Sequence, residues 1–320
     1  MNRKAKGRKR WPQAGAALIS AMLTVSLVAS LAAAALAQQW RLSEVERHER
    51  QRQQTQWILQ GALDWACLIL REDGRSGGSD HLGEPWALPL QEARLSSFLA
   101  SDANASGLAD LNGVFLSGRI EDMQARLNLR NLVADGKVSE PDVEMAERLF
   151  ELIDLPPQLA RQLAQGLRQA AAKAGLPDGR SAPFMPQQVD QLVWIGLSPA
   201  QIERLAPHVS LLPRRTTLNL NTASAELISA SLKGLPLGQA RAMVQARQRQ
   251  PWQTMDQANA ALGPPLAFDA SRHSINSAFF SIAGQLRQED LQIRQQALVL
   301  RDGQKIRTLW RRNQVGGEPG

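Results

Sequence analysis

Two places in this chain carry residue types suited to chemistry. The first is a peptide bond, Gly15–Ala16, where a basic leader ends and a long apolar segment begins. The chemistry there would be cleavage before the helix, leaving Ala16 as the new amino terminus. The second is Asp80-His81, a carboxylate beside an imidazole, both metal-ligand types. No second ligand cluster accompanies the pair, so a capping or packing role in a loop is expected. The other histidines, His48, His208 and His273, are scattered. The single cysteine, Cys67, excludes an intrachain disulfide and a thiolate zinc cluster. Cys67 falls in an apolar stretch and reads as a small packing residue. No Ser-centred elbow, H-E-x-x-H or phosphate loop is read. The expectation is a protein that is not an enzyme, with no cofactor and no metal. Chemistry is done to it rather than by it.

The elements around these residues narrow the reading. The chain has 320 residues, 43% hydrophobic and 21% charged, which excludes wholesale disorder. Aromatics are 5% with no Tyr, so no base-stacking platform is expected. Its net charge of +7 is concentrated: residues 2–10 hold six cations, and without them 31 cations face 30 anions. Charge therefore does not argue for a nucleic-acid surface over the body.

From Ala14 to Ala37 the chain is apolar, broken only by Ser20, Thr24, Ser26 and Ser30. About 20 such residues span a hydrocarbon core as a helix. Cations before the run place the leader in the cytoplasm and the remainder outside. Three readings fit: a cleaved secretory signal ending at Ala35-Leu36-Ala37, an uncleaved anchor, or a prepilin-type signal cut at Gly15–Ala16. The run is long for a secretory signal. The stretch beyond it favours the third reading. From Trp40 to Arg71 the chain is rich in helix formers and lacks Pro, so one helix is predicted from about Ala16 to about Arg71. Its second half turns apolar, as a membrane stem would if it became the spine of a globular head.

A loop at Gly74–Ser79 is expected to end the spine. Residues 114–129 read as two short strands, and Phe279–Ile282, Leu291–Leu300 and Lys305–Trp310 as three more, with Asp302-Gly303 in a hairpin turn. Between them, residues 139–263 read as helical and carry a repeat: Leu155-Pro156-Pro157, Leu197-Ser198-Pro199 and Leu235-Pro236-Leu237, each followed by an amphipathic helix.

Leu218-Asn219-Leu220-Asn221-Thr222-Ala223-Ser224-Ala225-Glu226-Leu227 is the sharpest short motif. Asn221 or Thr222 is expected to cap the next helix. With Gly234-Leu235-Pro236-Leu237-Gly238 behind it, the stretch resembles the helix-hairpin-helix of competence-type DNA receptors. Such hairpins grip a phosphate through backbone N–H groups. Pro236 has no N–H to donate. Arg241, Arg247 and Arg249 could meet phosphates, or equally serve a solvated face and a helix C-terminus. A membrane-anchored DNA-binding protein is thus the second reading.

The order of motifs resembles one family over most of the chain: the type II secretion minor pseudopilins known as general secretion pathway protein K. It is carried by the basic leader with Gly15 before Ala16-Ala17-Leu18-Ile19, by Asp80-His81-Leu82-Gly83-Glu84-Pro85-Trp86, and by Ile120-Glu121-Asp122 with Arg126-Leu127-Asn128-Leu129. Asn131-Leu132-Val133, Leu192-Val193, Leu211-Leu212-Pro213, the Leu218–Leu227 motif and a strand-rich tail complete it. The resemblance implies an α+β fold: a long N-terminal transmembrane and spine helix, and a pilin-like antiparallel sheet interrupted by a large all-helical insertion with helix-hairpin-helix or SAM-like modules. The expected divisions are a leader at 1–15, a transmembrane helix at 16–37 and a periplasmic spine at 38–73. The first part of the sheet domain would occupy 74–137, the insertion 138–265, the C-terminal strands 266–313 and a flexible tail 314–320.

The processing site would be Gly15 and Ala16. The partners implied are the other minor pseudopilins of the pseudopilus tip, prepilin peptidase, the inner-membrane assembly platform, inner-membrane lipid and exoprotein substrates, with no nucleic acid. The protein would cross the inner membrane once, its N-terminus cytoplasmic and its head periplasmic. Most pseudopilins carry Glu as the fifth residue of the mature helix; here that position is Ser20, which suits the end of a filament. The loop at about Gly166 to Gln191 offers only Asp178 and Asp190 where many members carry an acidic calcium-type loop, so no calcium is expected there.

Overall fold

A single helix, α1, runs from Ala14 to Ser76, uninterrupted by proline. The computed structural model describes residues 14–96, 113–173, 184–288 and 291–316. Residues 1–13 of the expected leader, 174–183 of the expected loop (Asp178 among them) and 317–320 of the expected tail lie outside these. The chain divides into two units, Met1–Ile58 and Leu59–Gly320.

In the first unit, α1 is apolar on every side. Leu18 is 66% and Leu36 58% exposed, and a window of mean hydropathy 2.1 has none of its surface buried. Three hydroxyls within it are satisfied by their own helix: Ser20 donates to Ala17 O at 2.9 Å, Thr24 to Ser20 O and Ser30 to Ser26 O. Such back-bonding lowers the cost of placing a hydroxyl in an apolar medium. A polar stretch comes next, with Arg50 donating to Glu46 one turn earlier at 2.6 Å.

In the second unit α1 becomes one-sided. Leu59, Leu63, Ala66 and Leu70 are buried at the helical spacing i, i+4, i+7, i+11. The helix continues five residues beyond the expected Arg71 and stops where Gly77 and Gly78 take φ of +72° and +118°, a backbone open to glycine at little cost.

The stripe packs on a sheet of five antiparallel strands: β1 (Leu90–Arg94), β2 (Val114–Asp122), β9 (Phe279–Gln288), β10 (Leu291–Asp302) and β11 (Lys305–Gly316). Their order across the sheet is β1-β2-β9-β10-β11, the intervening numbers belonging to two-residue strands outside it. The last three exceed the strands expected from sequence, and β11 runs to Gly316, into the expected tail. Period-two alternation sorts their side chains. Phe280, Ile282, Ala297 and Val299 join Leu63, Ala66, Leu70 and Trp86 on the spine side, while Phe279, Leu298 and Leu300 join Leu212 on the other. Trp86 meets Phe280 edge to face, with ring centroids 5.2 Å apart. Val114 stands opposite Gln288 and Asp122 opposite Phe280, so strands distant in sequence are neighbours.

Between β2 and β9 lie α2 (Glu140–Leu152), α3 (Gln158–Lys173), α4 (Pro199–Leu205), α5 (Ala225–Ser231), α6 (Leu237–Arg249) and α7 (Met255–Leu262). The prolines of the repeat sit at or just before the starts of α3, α4 and α6, as expected. The stretch has its own apolar cluster, which includes Leu129, Phe150, Leu163, Leu227 and Met243. That cluster extends from Leu127 to Ile275, beyond the 138–265 expected. Two short parallel ladders tie it together: β3 (Leu127–Asn128) with β6 (Val209–Ser210), and β7 (Leu218–Asn219) with β8 (His273–Ser274). A two-residue antiparallel hairpin, β4 (Val133–Ala134) with β5 (Lys137–Val138), leads into α2. The second strand expected within 114–129 is therefore only Leu127–Asn128. Met123–Ala125 and Leu129–Leu132 on either side are single 3-10 turns. Gln124 and Arg130 N–H groups donate to Asp122 and Asn128 side chains there, which favours turns over a continued strand.

Candidate functional site

The residues singled out by sequence fall into two groups, those on α1 and those at the joint between sheet and helical insertion. Gly15 and Ala16 lie in the first turn of α1, which begins at Ala14 rather than at Ala16. Ser20 lies one turn on.

The joint is built on buried polar groups. Asp122, at the end of β2, accepts from Ser277 Oγ at 2.6 Å, Thr222 Oγ1 at 2.6 Å and Asn219 Nδ2 at 3.0 Å. Asn219 Nδ2 also reaches Asp80 O and Ser277 Oγ. One carboxylate thus fastens the Leu218–Leu227 motif to the sheet. Asn221 Nδ2 donates to Trp252 O at 2.8 Å, and its Oδ1 accepts from Trp252 N at 3.0 Å, pairing the motif with the segment after α6. The expected capping by Asn221 or Thr222 is corrected: Ser224 caps α5, accepting from Leu227 N. Both predicted caps lie too far upstream, and their side chains are taken by the joint.

Asp80 belongs to the same joint. Arg301 of β10 bridges Asp80 and Asp73, the latter near the end of α1. Asp80 also accepts from Ser277 N at 2.6 Å. Burial pushes the Asp80 and Asp122 carboxyls above the ordinary range, against hydrogen bonds that pull them down. Glu84 is pushed up to about 7, chiefly by burial, though it accepts from His81 N and Trp86 Nε1 at 2.8 Å each. His81 closes the loop, its Nδ1 accepting from Gly83 N at 3.1 Å.

Sequence reasoning missed that Asp73 and Glu84 join Asp80: one ligand atom from each lies within 4.8 Å of the others. Three carboxylates fall short of the six to eight oxygens a hard cation takes, and Arg301 already occupies two of them. Arg301 as their partner was visible only in that it precedes the Asp302-Gly303 turn, which pins the end of β10. A second oversight is the string Gly74-Arg75-Ser76-Gly77-Gly78, which has the spacing of a Ser-centred elbow. It stands at the end of a helix, not on a strand-to-helix turn, and Ser76 Oγ donates to Asp73 O at 2.8 Å.

Arg247 requires the largest correction. Expected on a solvated face or at phosphates, it is 5% exposed and donates through Nη1 to Leu220 O and through Nη2 to Ala223 O. Burial lowers it to about 10. It holds the backbone of the motif from within and is out of reach of a phosphate. Pro236 sits at the N-cap of α6 and Gly234 takes φ of +86°. Cys67 packs at the edge of the spine–sheet cluster, and burial pushes its thiol up to about 11.

These features define a class: a protein with, among the described residues, one helix long and apolar enough to cross a membrane, whose continuation is the spine of an antiparallel sheet that carries a helical insertion. Comparison with known proteins carries this to a family. Sequence models of Type II secretion system (T2SS), protein K match residues 125–214 and 218–276. Type II secretion system protein K of Pseudomonas aeruginosa is 32% identical over 266 residues, covering 76% of this chain and 75% of that protein. The protein of the same name from Pectobacterium carotovorum is 26% identical over 329 residues, 95% of this chain and 97% of that one. A chain in the crystal structure of the GspK-GspI-GspJ complex of the enterotoxigenic Escherichia coli Type 2 Secretion System shares the fold. It aligns with TM-score 0.63 at 21% identity, over 85% of this chain and 99% of that one. The chain belongs to the type II secretion system protein K family. It is a minor pseudopilin of type II secretion, and the DNA-receptor reading is not favoured.

Proposed function

We propose that this chain forms or initiates the tip of the periplasmic pseudopilus that drives folded proteins across the outer membrane, and that its role is mechanical. The observation that carries this is α1: an all-round apolar segment whose Ser20, Thr24 and Ser30 hydroxyls bond to their own helix, with Ser20 where a filament-body subunit would carry a carboxylate. A carboxylate in hydrocarbon is costly unless paired. A subunit lacking it cannot neutralise the amine of a subunit ahead, so it fits an end position. Prepilin peptidase would cut Gly15–Ala16. The other minor pseudopilins would pack against the helix, as the E. coli relative's complex with GspI and GspJ suggests. The insertion would act as helix-hairpin-helix-like modules kept for shape, with 16–37 in the inner membrane and the head in the periplasm.

Mass spectrometry of the membrane form tests this: a chain beginning at Ala16 supports it, and one beginning at Gln38 sinks it. Gly15→Leu should abolish processing. Salt-sensitive duplex binding at micromolar or tighter affinity in a gel shift would revive the DNA reading.

A further inference from the structure

A cavity of about 150 Å³ opens where the two family-matched stretches meet, lined by Arg126, Asn131 and Asp142 from the first and by Arg272 and His273 from the second, with Arg215 in the link between them. Its charges do not cancel. Arg126 is matched by Glu121 at 2.9 Å. Arg215 and Arg272 share one carboxylate, Asp142, at 2.8 Å and 3.3 Å. Asp142 is buried and is already committed to Ser139 Oγ at 2.6 Å. Two guanidiniums on one buried carboxylate leave the lining with a net positive charge, and the cost of an unpaired charge falls mainly on Arg272, the more buried of the two.

The donors are also in excess. A guanidinium offers five N–H groups. The hydrogen bonds described for Arg272 run through Nη2, to Pro141 O, Asp142 and Met145 Sδ, which leaves Nε and Nη1 for a ligand. Arg215 uses Nη1 on Asn131 O and Nη2 on Asp142. The other titratable wall, His273, is held neutral chiefly by burial, with the Arg272 charge lowering it and the charge of exposed Asp269, outside the lining, opposing this; Arg148 nearby is lowered first by burial and then by Arg272, against Glu144. The cavity thus has a surplus of positive charge, a volume that fits a single small anion and no titratable acid other than Asp142 among its lining residues.

We infer that this cavity is a binding site for one oxyanion, a phosphate or carboxylate group held in the fork of Arg215 and Arg272. The anion would complete the charge count and clamp the 125–214 stretch to the 218–276 stretch. The group could arrive as a free ion or as the carboxylate of another polypeptide.

The test is calorimetric titration of the full chain in detergent with two probes: inorganic phosphate, and Gly-Gly-Gly with a free or an amidated carboxyl end. Saturable binding of phosphate alone assigns a free ion; binding of the acid tripeptide but not its amide assigns a polypeptide carboxylate; both support the site. Arg272→Gln and Arg215→Gln should each weaken binding about tenfold or more, the loss of one charge-assisted contact. Arg215→Lys should retain part of it, and Arg287→Gln, which lies on the sheet, all of it. Because Arg272 also holds a backbone carbonyl, thermal unfolding of each variant without ligand is measured alongside. Arg215 is half-exposed, so Arg215→Gln decides the question if Arg272→Gln does not fold. Failure of both probes to saturate, or unchanged binding in Arg215→Gln, overturns the site.

Discussion

The two apolar stretches of α1 obey opposite rules. From Leu18 to Leu36 every large side chain is exposed, on all sides of the helix. From Leu59 to Leu70 the apolar residues divide: Leu59, Leu63, Ala66 and Leu70 form one buried stripe, while Trp65 and Leu68 stay exposed on the outer face. A helix apolar all round has no preferred direction to pack and needs an apolar surrounding, whereas a striped one orients itself on a partner. The same distinction separates the joint from the outer cations. Arg301 and Arg247 are sealed among fixed acceptors, while Arg50 and Arg161 pair in the open, where an ion pair contributes little.

Substitutions on the two sides of this divide should differ by graded amounts. The largest effect is expected at the sealed arginines. Arg301→Ala strands Asp73 and Asp80 and should cost about 3–5 kcal/mol of head stability, whereas Arg161→Ala should cost under about 1 kcal/mol. Chemical unfolding followed by Trp fluorescence reads both, and equal costs would erase the distinction. Next, Leu63→Ala should cost about 2–5 kcal/mol in the same assay, and Leu27→Ala should leave head unfolding unmoved. A comparable loss at Leu27 would mean that the apolar stretch is covered by the protein itself.

The smallest effect is in pH. The carboxyl of Glu84 is raised on folding, so the folded state binds its proton more tightly than the unfolded chain. Its contribution is present in full below the ordinary value of 4.5 and is lost as pH rises through about 7. Asp80 and Asp122 are shifted in the same direction. Head stability should therefore fall with rising pH over this window, and Glu84→Gln should flatten the fall. An unchanged slope in that variant would remove Glu84 from the account.

Much of this was legible locally. The proline-free run from Ala14 to Ser76, the prolines before α3, α4 and α6, and Asp302-Gly303 in the hairpin between β10 and β11 are signals carried by neighbouring residues. Strand ends were less legible, since β9 continues through Gly284 and Gln285 only because β2 and β10 pair with them on both sides. Ser224 was hidden as a cap by two better-looking candidates upstream. Arg247 was unreadable, because a cation near a helix C-terminus looks the same whether it faces water or the backbone of another segment.

Residue order was enough to set the rod, four of the five sheet strands (β1 was not foreseen) and the helical block between them, because periodicity and turn chemistry act within a few residues. Which polar side chains became internal fasteners was settled by packing between distant segments. Asp122, Asn219, Thr222 and Ser277 lie on three separate stretches, and Asp73, Asp80 and Arg301 are likewise far apart along the chain. Burial raises the worth of a hydrogen bond only after distant segments have excluded water from it, and no local pattern records where that exclusion will occur.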